Sequence, residues 1–285
     1  MSIVKQMLAK YSIISNEDMR NAMREIFQEI TLLGLYSGGF FEKATFYGGT
    51  CLRIFHNLPR FSEDLDFFLL QMDNNFDIEK YFPSIINEFE AFSIPAKIRK
   101  KNKQDRTSSV ETAFLDIVTS NLEKVIKIKI EVDKNPPLHF DTETKTLLMP
   151  KSFNIKTMTL PNLYASKIYA VLFRNWKMRV KGRDWFDFEW YVKNNVQLNL
   201  KHLCHRIKHF GNISKEHITK EYIQELLFAK IDEIDFKQAI SDVRIFTKNP
   251  EELKIWSNDY FKFLVSKMCY QQEQILQQKP KIRRR

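Results

Sequence analysis

Glycine, cysteine and long apolar runs are all scarce in this chain of 285 residues. Its three cysteines, Cys51, Cys204 and Cys269, are odd in number and lack paired spacing, which predicts reduced thiols and neither a disulfide framework nor a zinc site. No run approaches the roughly eighteen apolar residues of a membrane span, and the N-terminus has no signal-like apolar segment. These absences exclude disulfide-rich secreted domains and integral membrane proteins, so we expect a cytoplasmic protein with no membrane partner.

An excess of positive charge indicates a polyanionic partner. The chain has 45 Lys and Arg against 35 Asp and Glu, a formal net charge of +10. The excess concentrates in a basic stretch from Lys97 to Arg106 and in a basic tail made of Lys279, Lys281, Arg283, Arg284 and Arg285. Because each Lys or Arg that neutralises a phosphate releases condensed counterions, such clusters favour salt-sensitive binding of nucleic acid. For the tail, a solvated surface is the alternative interpretation.

Two of the seven glycines precede a pair of acids on a predicted strand. Gly48 and Gly49 stand just before a predicted helix from Thr50 to His56, where backbone N–H groups can approach a phosphate closely. Downstream, Asp64 and Asp66 alternate with apolar residues, so both carboxylates leave one face of the strand. Either feature alone is common in turns and at solvated strand edges. Together they indicate a site for metal-assisted nucleotide transfer.

The run GGTCLR followed by RFSEDLDF resembles the first motif of the AbiEii/AbiGii toxin family, which includes the MenT toxins. This family lies within the DNA polymerase β-like nucleotidyltransferase superfamily. Two later segments resemble it in order and spacing, SKIYAVLFR at residues 166–174 and KGRDWFDFEWY at residues 181–191. The superfamily's usual Gly-Ser is Gly49-Thr50 here, and Thr keeps the hydroxyl.

The resemblance implies an α/β (α+β) fold with a polymerase β-like nucleotidyltransferase core and a mixed sheet in residues 1–155. A mainly helical domain with the basic tail would occupy residues 156–285. It also implies a toxin that transfers NMP from an NTP to an RNA acceptor, with the tRNA 3′ end as the expected target, in a toxin–antitoxin or phage-defence system. An antitoxin encoded nearby would be its partner, and Mg²⁺ or Mn²⁺ its cofactor.

Specific residues of the first motif take roles from this resemblance. Asp64 and Asp66 would bind the metal. Ser62, two residues before Asp64, would project from the same face if the strand extends that far. The residues expected to hold the triphosphate are Gly48, Gly49, Thr50, Arg53 and Ser62.

A further strand is predicted from Val125 to Val132, in KVIKIKIEVD, where isoleucines and lysines alternate. In the superfamily a third carboxylate comes from a strand beside the Asp pair. Glu131 is the candidate, and Asp133 on the same face is the reserve. An ordinary half-exposed strand would show the same alternation, so that alternative stays open.

The segment from Pro161 to Trp176 has helical periodicity and places Leu163, Lys167, Ala170 and Arg174 on one stripe. Cations on a packing face can snorkel to solvent. The resemblance instead implies that Lys167 holds the triphosphate and that Arg174 braces phosphate or an active-site carboxylate.

The third segment, Lys181 to Tyr191, supplies a further acid. The resemblance assigns one Asp of this segment to the active site, with Asp184 preferred and Asp187 in reserve, and Arg183 as a possible phosphate contact. Asp184 and Asp187 are also spaced like a capping box at a helix start.

Three histidines, His202, His205 and His209, share one face of a later predicted helix. No carboxylate accompanies them, so a polar helix that faces RNA is a simpler interpretation than a metal site.

Two other classes of function remain open. A small-molecule or protein nucleotidyltransferase would use the same first motif but would have less need for two basic clusters. A non-catalytic nucleic-acid-binding module explains the charge but leaves the Asp pair without a role.

Overall fold

The computed structural model describes residues 2–101, 109–118, 125–174, 180–211, 213 and 217–271. Two helices open the chain, α1 (Ile3–Leu8) and α2 (Asn16–Ser37). A capping box starts α2, because the Asp18 N–H donates to Ser15 Oγ and the Asp18 carboxylate accepts from the Ser15 N–H. Gly34 lies inside α2, where a Cβ would stand 2.6 Å from the Cα of Ile85. This glycine therefore allows α2 and the helix that contains Ile85 to pack closely.

One mixed sheet of seven strands forms the centre of the fold. The strands are β1 (Ala44–Tyr47), β2 (Asp64–Leu69), β3 (Ala96–Lys100), β4 (Val110–Ile117), β5 (Ile126–Asp133), β6 (Thr142–Leu147) and β7 (Phe153–Met158). Their order across the sheet is β3-β4-β5-β2-β1-β7-β6. β2 pairs antiparallel to β1 and parallel to β5, and β1 pairs parallel to β7. The predicted α/β class and mixed sheet are confirmed.

Alternation along the central strands separates a buried face from a polar one. Leu65 and Phe67 of β2 and Ile128 and Ile130 of β5 are fully buried. α2 contacts β5, and α4 (Phe82–Ala91), which follows a short 3₁₀ helix (Ile78–Tyr81), contacts β3. These apolar side chains form the core, which leaves the acids of β2 on the opposite face.

The two strands β6 and β7 are absent from the predicted elements. β6 reads TETKTL and is an edge strand without a buried side chain, so it lacks the apolar alternation on which strand prediction depends. β7 does alternate, with Phe153 and Ile155 buried. The predicted domain boundary at residue 155 falls inside β7, so the sheet continues past it. The division into two domains stays a prediction.

The second half of the chain is mainly helical. Its helices are α5 (Leu160–Phe173), α6 (Gly182–Lys193), α7 (Leu200–His209), α8 (Lys220–Glu233), α9 (Phe236–Val243) and α10 (Asn258–Ser266). Two short strands, β8 (Gln197–Leu198) and β9 (Cys269–Tyr270), pair in parallel. No helix in the described ranges is long and apolar enough to cross a membrane. Cys51, Cys204 and Cys269 are free cysteines.

Candidate active site

Two carboxylates project from the polar face of β2, the central strand of the sheet. The parallel register places Lys129 beside Asp64 and Glu131 beside Asp66. Burial raises the pKa of Asp64, an effect that Lys129 opposes and Glu131 reinforces. Burial, together with the charges of Asp64 and Glu131, raises the pKa of Asp66 to about 7. The site therefore crowds acids in a way that a bound cation would relieve.

The donor set suits Mg²⁺ or Mn²⁺. Hard carboxylate oxygens are preferred ligands, and Mg²⁺ commonly takes one or two carboxylates and completes its shell with water and substrate phosphates. Among the described residues there is no cluster of three or more His, Cys, Asp or Glu side chains with metal-site geometry. Asp64 and Asp66 thus fit a shared site that substrate completes, and Glu131 is partly engaged, since Lys129 Nζ lies 2.6 Å from its Oε2.

The glycine pair forms the first turn of α3 (Gly48–His56), so this helix begins two residues before its predicted start. Gly48 has a φ of 83°, which favours glycine. A Cβ on Gly48 would lie 2.5 Å from Asp66 Oδ2, and one on Gly49 would lie 2.8 Å from Arg60 Nη2 and 3.0 Å from Ser62 Oγ. Both glycines therefore allow the helix N-terminus to pack directly on the acid and on the segment that precedes β2.

Thr50 and Arg53 do not face the same space, which corrects the expectation that they hold the triphosphate. Thr50 is fully buried, and its hydroxyl donates to the backbone carbonyl of Asp64 at 2.5 Å. The Arg53 guanidinium donates to Glu25 Oε2 at 2.6 Å and to the carbonyl of Leu58 at 2.9 Å. It lines a separate cavity. Thr50 fastens α3 to β2, and Arg53 fastens α3 to α2.

A cavity of about 90 Å³ lies between α3, β2, α5 and α6. All four residues of the predicted stripe on α5 line it, namely Leu163, Lys167, Ala170 and Arg174. Five cations and three acids line the cavity: Arg60, Lys167, Arg174, Lys181 and Arg183, with Asp64, Asp66 and Asp184. Among the lining residues cations outnumber acids, a composition that suits an anionic ligand, although Asp187 and Glu63 beyond the lining pair with Arg60, Lys167 and Arg183.

Lys167 connects the two candidate acids of α6. Its Nζ lies 2.6 Å from Asp184 Oδ1 and 2.8 Å from Asp187 Oδ2. Asp184 lines the cavity, whereas Asp187 is fully buried and accepts from Arg60 Nε and Nη2, each at 2.6 Å. Burial alone would raise the pKa of Asp184, but Lys167 and Arg174 outweigh it and lower this pKa to about 2. Asp184 is thus an ionised acid at the cavity, and Asp187 anchors Arg60.

Further cations complete the cavity wall. Arg183 Nη1 lies 3.0 Å from Glu63 Oε2, and its guanidinium lies 4.2 Å from the centroid of the Phe246 ring. Arg174 Nη1 lies 3.9 Å from Asp184 Oδ2. Burial, reinforced by Arg174, lowers the pKa of Lys181. Arg183 is therefore held in place by its neighbours.

Sequence reasoning did not identify Arg60 or Lys181 as cavity residues. Arg60 stands within the RFSEDLDF run, but nothing in the local pattern pairs it with an acid that is 127 positions away. Lys181 opens the third segment, one residue before Gly182. Its position two residues before Arg183 and three before Asp184, both candidates from the sequence, is the signal that could have identified it.

A comparison with protein families agrees with this geometry. The family described as "Nucleotidyl transferase AbiEii toxin, Type IV TA system" matches residues 31–267, which is most of the chain. The chain belongs to the AbiEii toxin family. It is therefore a toxin-like nucleotidyltransferase, and the type IV toxin–antitoxin description implies an antitoxin as its partner.

Two solved structures share the fold of this AbiEii-family chain. One is titled "Crystal structure of putative nucleotidyltransferase from H. pylori", with 17% identity, a TM-score of 0.50, and coverage of 88% of this chain and 92% of that one. The other is JHP933 from Helicobacter pylori, with 16% identity, a TM-score of 0.51, and coverage of 89% and 92%. At such identities the likeness concerns the fold. No curated protein matches the chain.

The remaining candidates of this AbiEii-family chain lie outside the cavity. Asp133 accepts from Ser109 Oγ and from the N–H of Asn135, which shapes the turn after β5. His202 is fully buried, His205 stacks on His139 at 4.4 Å, and His209 Nε2 lies 3.2 Å from the Asn135 carbonyl. His202 therefore packs in the core and cannot face RNA, whereas His205 is half-buried and His209 is exposed, so for these two the polar helix face toward RNA stays a prediction. Residues 102–106 of the basic stretch and the whole basic tail lie outside the described residues.

Proposed function

We propose that this toxin transfers NMP from an NTP to an RNA, with the 3′ end of tRNA as the target, in a reaction that depends on Mg²⁺ or Mn²⁺. The observation that carries the proposal is the adjacency of Asp64 and Asp66 to a cavity in which cations outnumber acids. A triphosphate supplies the anion that such a cavity suits. The net charge of +10 supports a polyanionic acceptor.

Asp64 and Asp66 would hold the metal, which when bound supplies activation of the attacking oxygen and stabilisation of the leaving pyrophosphate. Lys167 would contact the triphosphate as a point charge, because its two acid partners fix Nζ at the cavity wall. The backbone N–H groups at the start of α3 would face phosphate oxygens, a placement that the helix dipole favours. Ser62 would donate a hydroxyl from the same wall, where it packs beside Gly49.

In the proposed reaction, an RNA hydroxyl oxygen attacks the α-phosphorus of the NTP. A new O–P bond forms as the hydroxyl O–H bond breaks and its proton passes to water, the bond from the α-phosphorus to the bridging oxygen breaks, and pyrophosphate leaves with that oxygen. The residues of the chain contribute chiefly by positioning the two substrates and by neutralising charge. Glu131 lies beside Asp66 on the neighbouring strand β5 and would orient the attacking hydroxyl.

The test is incubation of the purified chain with each α-³²P-labelled NTP, MgCl₂ and total RNA, followed by separation of RNA, protein and small molecules. We expect label on RNA of tRNA size, and loss of label with EDTA or with Asp66→Asn. Glu143→Gln is the matched control, because Glu143 is an acid on β6 at the far edge of the sheet. Label on a small molecule or on protein would contradict the RNA acceptor, and label nowhere would contradict catalysis.

A further inference from the structure

A strip of cations around one aromatic ring crosses the polar face of β3, β4 and β5 and leads to the catalytic acids. Strand register places Arg99 beside Phe114, Phe114 beside Lys129, and Lys129 beside Asp64. In the next row, Lys97 pairs with Asp116, and Asp116 pairs with Lys127. We call Lys97, Arg99, Phe114, Lys127 and Lys129 the basic strip.

The strip has a charge that suits a polyanion. Lys97, Arg99 and Lys127 are exposed, and Lys129 is half-buried. Asp116 is the acid among them, at 3.7 Å from Arg99 and 3.9 Å from Lys127. Pairs this long between exposed or partly exposed groups contribute little, so Lys97, Arg99 and Lys127 remain available to phosphates, whereas Lys129 is paired with Glu131 at 2.6 Å.

Phe114 gives the strip a stacking surface. The ring is partly exposed, with the Arg99 guanidinium 5.0 Å and Lys127 Nζ 5.9 Å from its centroid. Cations beside a partly exposed aromatic ring are a combination by which proteins bind single-stranded nucleic acid, since a base can stack on the ring in place of a cation while phosphates contact the cations. An acidic protein partner would use the cations but would not require the ring.

The strip also lies on the opposite side of the two acids from the cavity proposed for the NTP. The cavity proposed for the NTP lies between β2, α3, α5 and α6, and it reaches Tyr47 of β1, whereas the strip occupies β5, β4 and β3 on the other side of β2. Strands are about 4.8 Å apart, so Phe114 lies about 10 Å from the acids, or about three stacked nucleotides. We propose that the basic strip holds the single-stranded 3′ end of the RNA acceptor, with a base stacked on Phe114 two or three nucleotides before the reacting hydroxyl. This inference rests on the proposed function.

Fluorescence anisotropy with a labelled 12-nucleotide single-stranded RNA tests the strip. We expect Phe114→Ala to raise the RNA Kd about tenfold, because stacking of one base contributes on that order, and Phe114→Trp to retain affinity. Arg99→Ala should reduce the slope of log K against log salt by about 0.7, the value for one phosphate contact on a single strand. The KM for NTP should not change in Phe114→Ala or in Arg99→Ala.

Two matched controls lie elsewhere. Phe263→Ala removes a ring that is 56% exposed on α10, and Lys145→Ala removes a cation from β6 at the opposite edge of the sheet. Neither should alter RNA affinity. Phe114→Leu, which keeps apolar bulk in the sheet, should weaken RNA binding as Phe114→Ala does, and thermal melting checks that both variants fold.

The outcomes separate this inference from the proposed function. If the unsubstituted chain labels RNA and the strip variants bind RNA as tightly as the controls, the proposal that the strip binds RNA is wrong, and the proposed function stands. If those variants bind RNA normally but escape neutralisation by the antitoxin, the strip is an antitoxin surface and the inference is wrong. If the unsubstituted chain neither binds nor labels RNA, both proposals fail.

Discussion

Substitution of the two acids of α6 tests which of them stabilises the fold and which contributes to activity at the cavity. Asp187 is fully buried, and its partner Arg60 is 3% exposed. Asp187→Asn removes the charge that compensates Arg60, and an uncompensated buried charge costs about 3–5 kcal/mol, a large part of an ordinary domain's stability. For Asp184, the lowering of its pKa from 3.8 to about 2 corresponds to about 2 kcal/mol at neutral pH. Lys167 keeps Asp187 as a partner in Asp184→Asn.

Urea unfolding at pH 7.5, followed by circular dichroism, measures both losses, and nucleotide transfer is measured on the same preparations. We expect Asp187→Asn to be the less stable variant and Asp184→Asn to lose activity while it stays folded at assay temperature. The double variant Arg60→Met/Asp187→Leu should recover much of the lost stability, since it leaves no charge unpaired at that position. If Asp187→Asn is as stable as Asp184→Asn, the assignment of Asp187 to the fold is wrong.

Four other predictions follow from the site and its surroundings. Asp64→Asn or Asp66→Asn should lower nucleotide transfer by orders of magnitude with the circular dichroism spectrum unchanged, and near-normal transfer in both would contradict the metal assignment. Lys167→Ala should raise the KM for NTP far more than the Kd for RNA, whereas loss of folding in a thermal melt would favour a structural role for this lysine. Ser62→Glu should inhibit transfer, because it adds negative charge beside the acids, and full activity would show that charge there is harmless. A phosphate on Ser62 would add negative charge in the same way, and mass spectrometry of the toxin co-expressed with its antitoxin tests for this phosphorylation. Burial raises the pKa of Glu29 from 4.5 to about 7, so the folded state binds more protons than the unfolded state between those values, and stability falls as pH rises through them. Glu29→Gln should therefore flatten this part of the stability curve, by up to about 3 kcal/mol between pH 4.5 and pH 7, as measured by urea unfolding at a series of pH values.

Periodicity predicted the parts of the site that one element determines. The two-residue repeat of β2 placed Asp64 and Asp66 on the same face, and the helical repeat of α5 placed Lys167 and Arg174 on a stripe that lines the cavity. Alternation in β5 also placed Glu131 opposite the isoleucines, and the sheet order then set it beside Asp66. A local pattern suffices there because side-chain direction follows directly from backbone geometry.

Features that depend on packing between distant segments could not be predicted. The helix containing Thr50 and Arg53 was expected, but its periodicity does not show which face meets β2 and which meets α2. Arg60 and Asp187 are far apart in sequence, and a single chain offers no local signal that joins them. Edge strand β6 was missed because its side chains are polar and its place is set by β7.

Close contact between Gly48 and Asp66 also affects which substitutions would survive when cells are selected for loss of the toxin's activity. Any residue other than glycine at position 48 puts a carbon 2.5 Å from a carboxylate oxygen and adopts a φ that disfavours side chains. Any missense change in the glycine codon therefore displaces the acid. Survivors of induced expression should accumulate substitutions at this glycine alongside those at the acids, and those variants should still produce a folded protein.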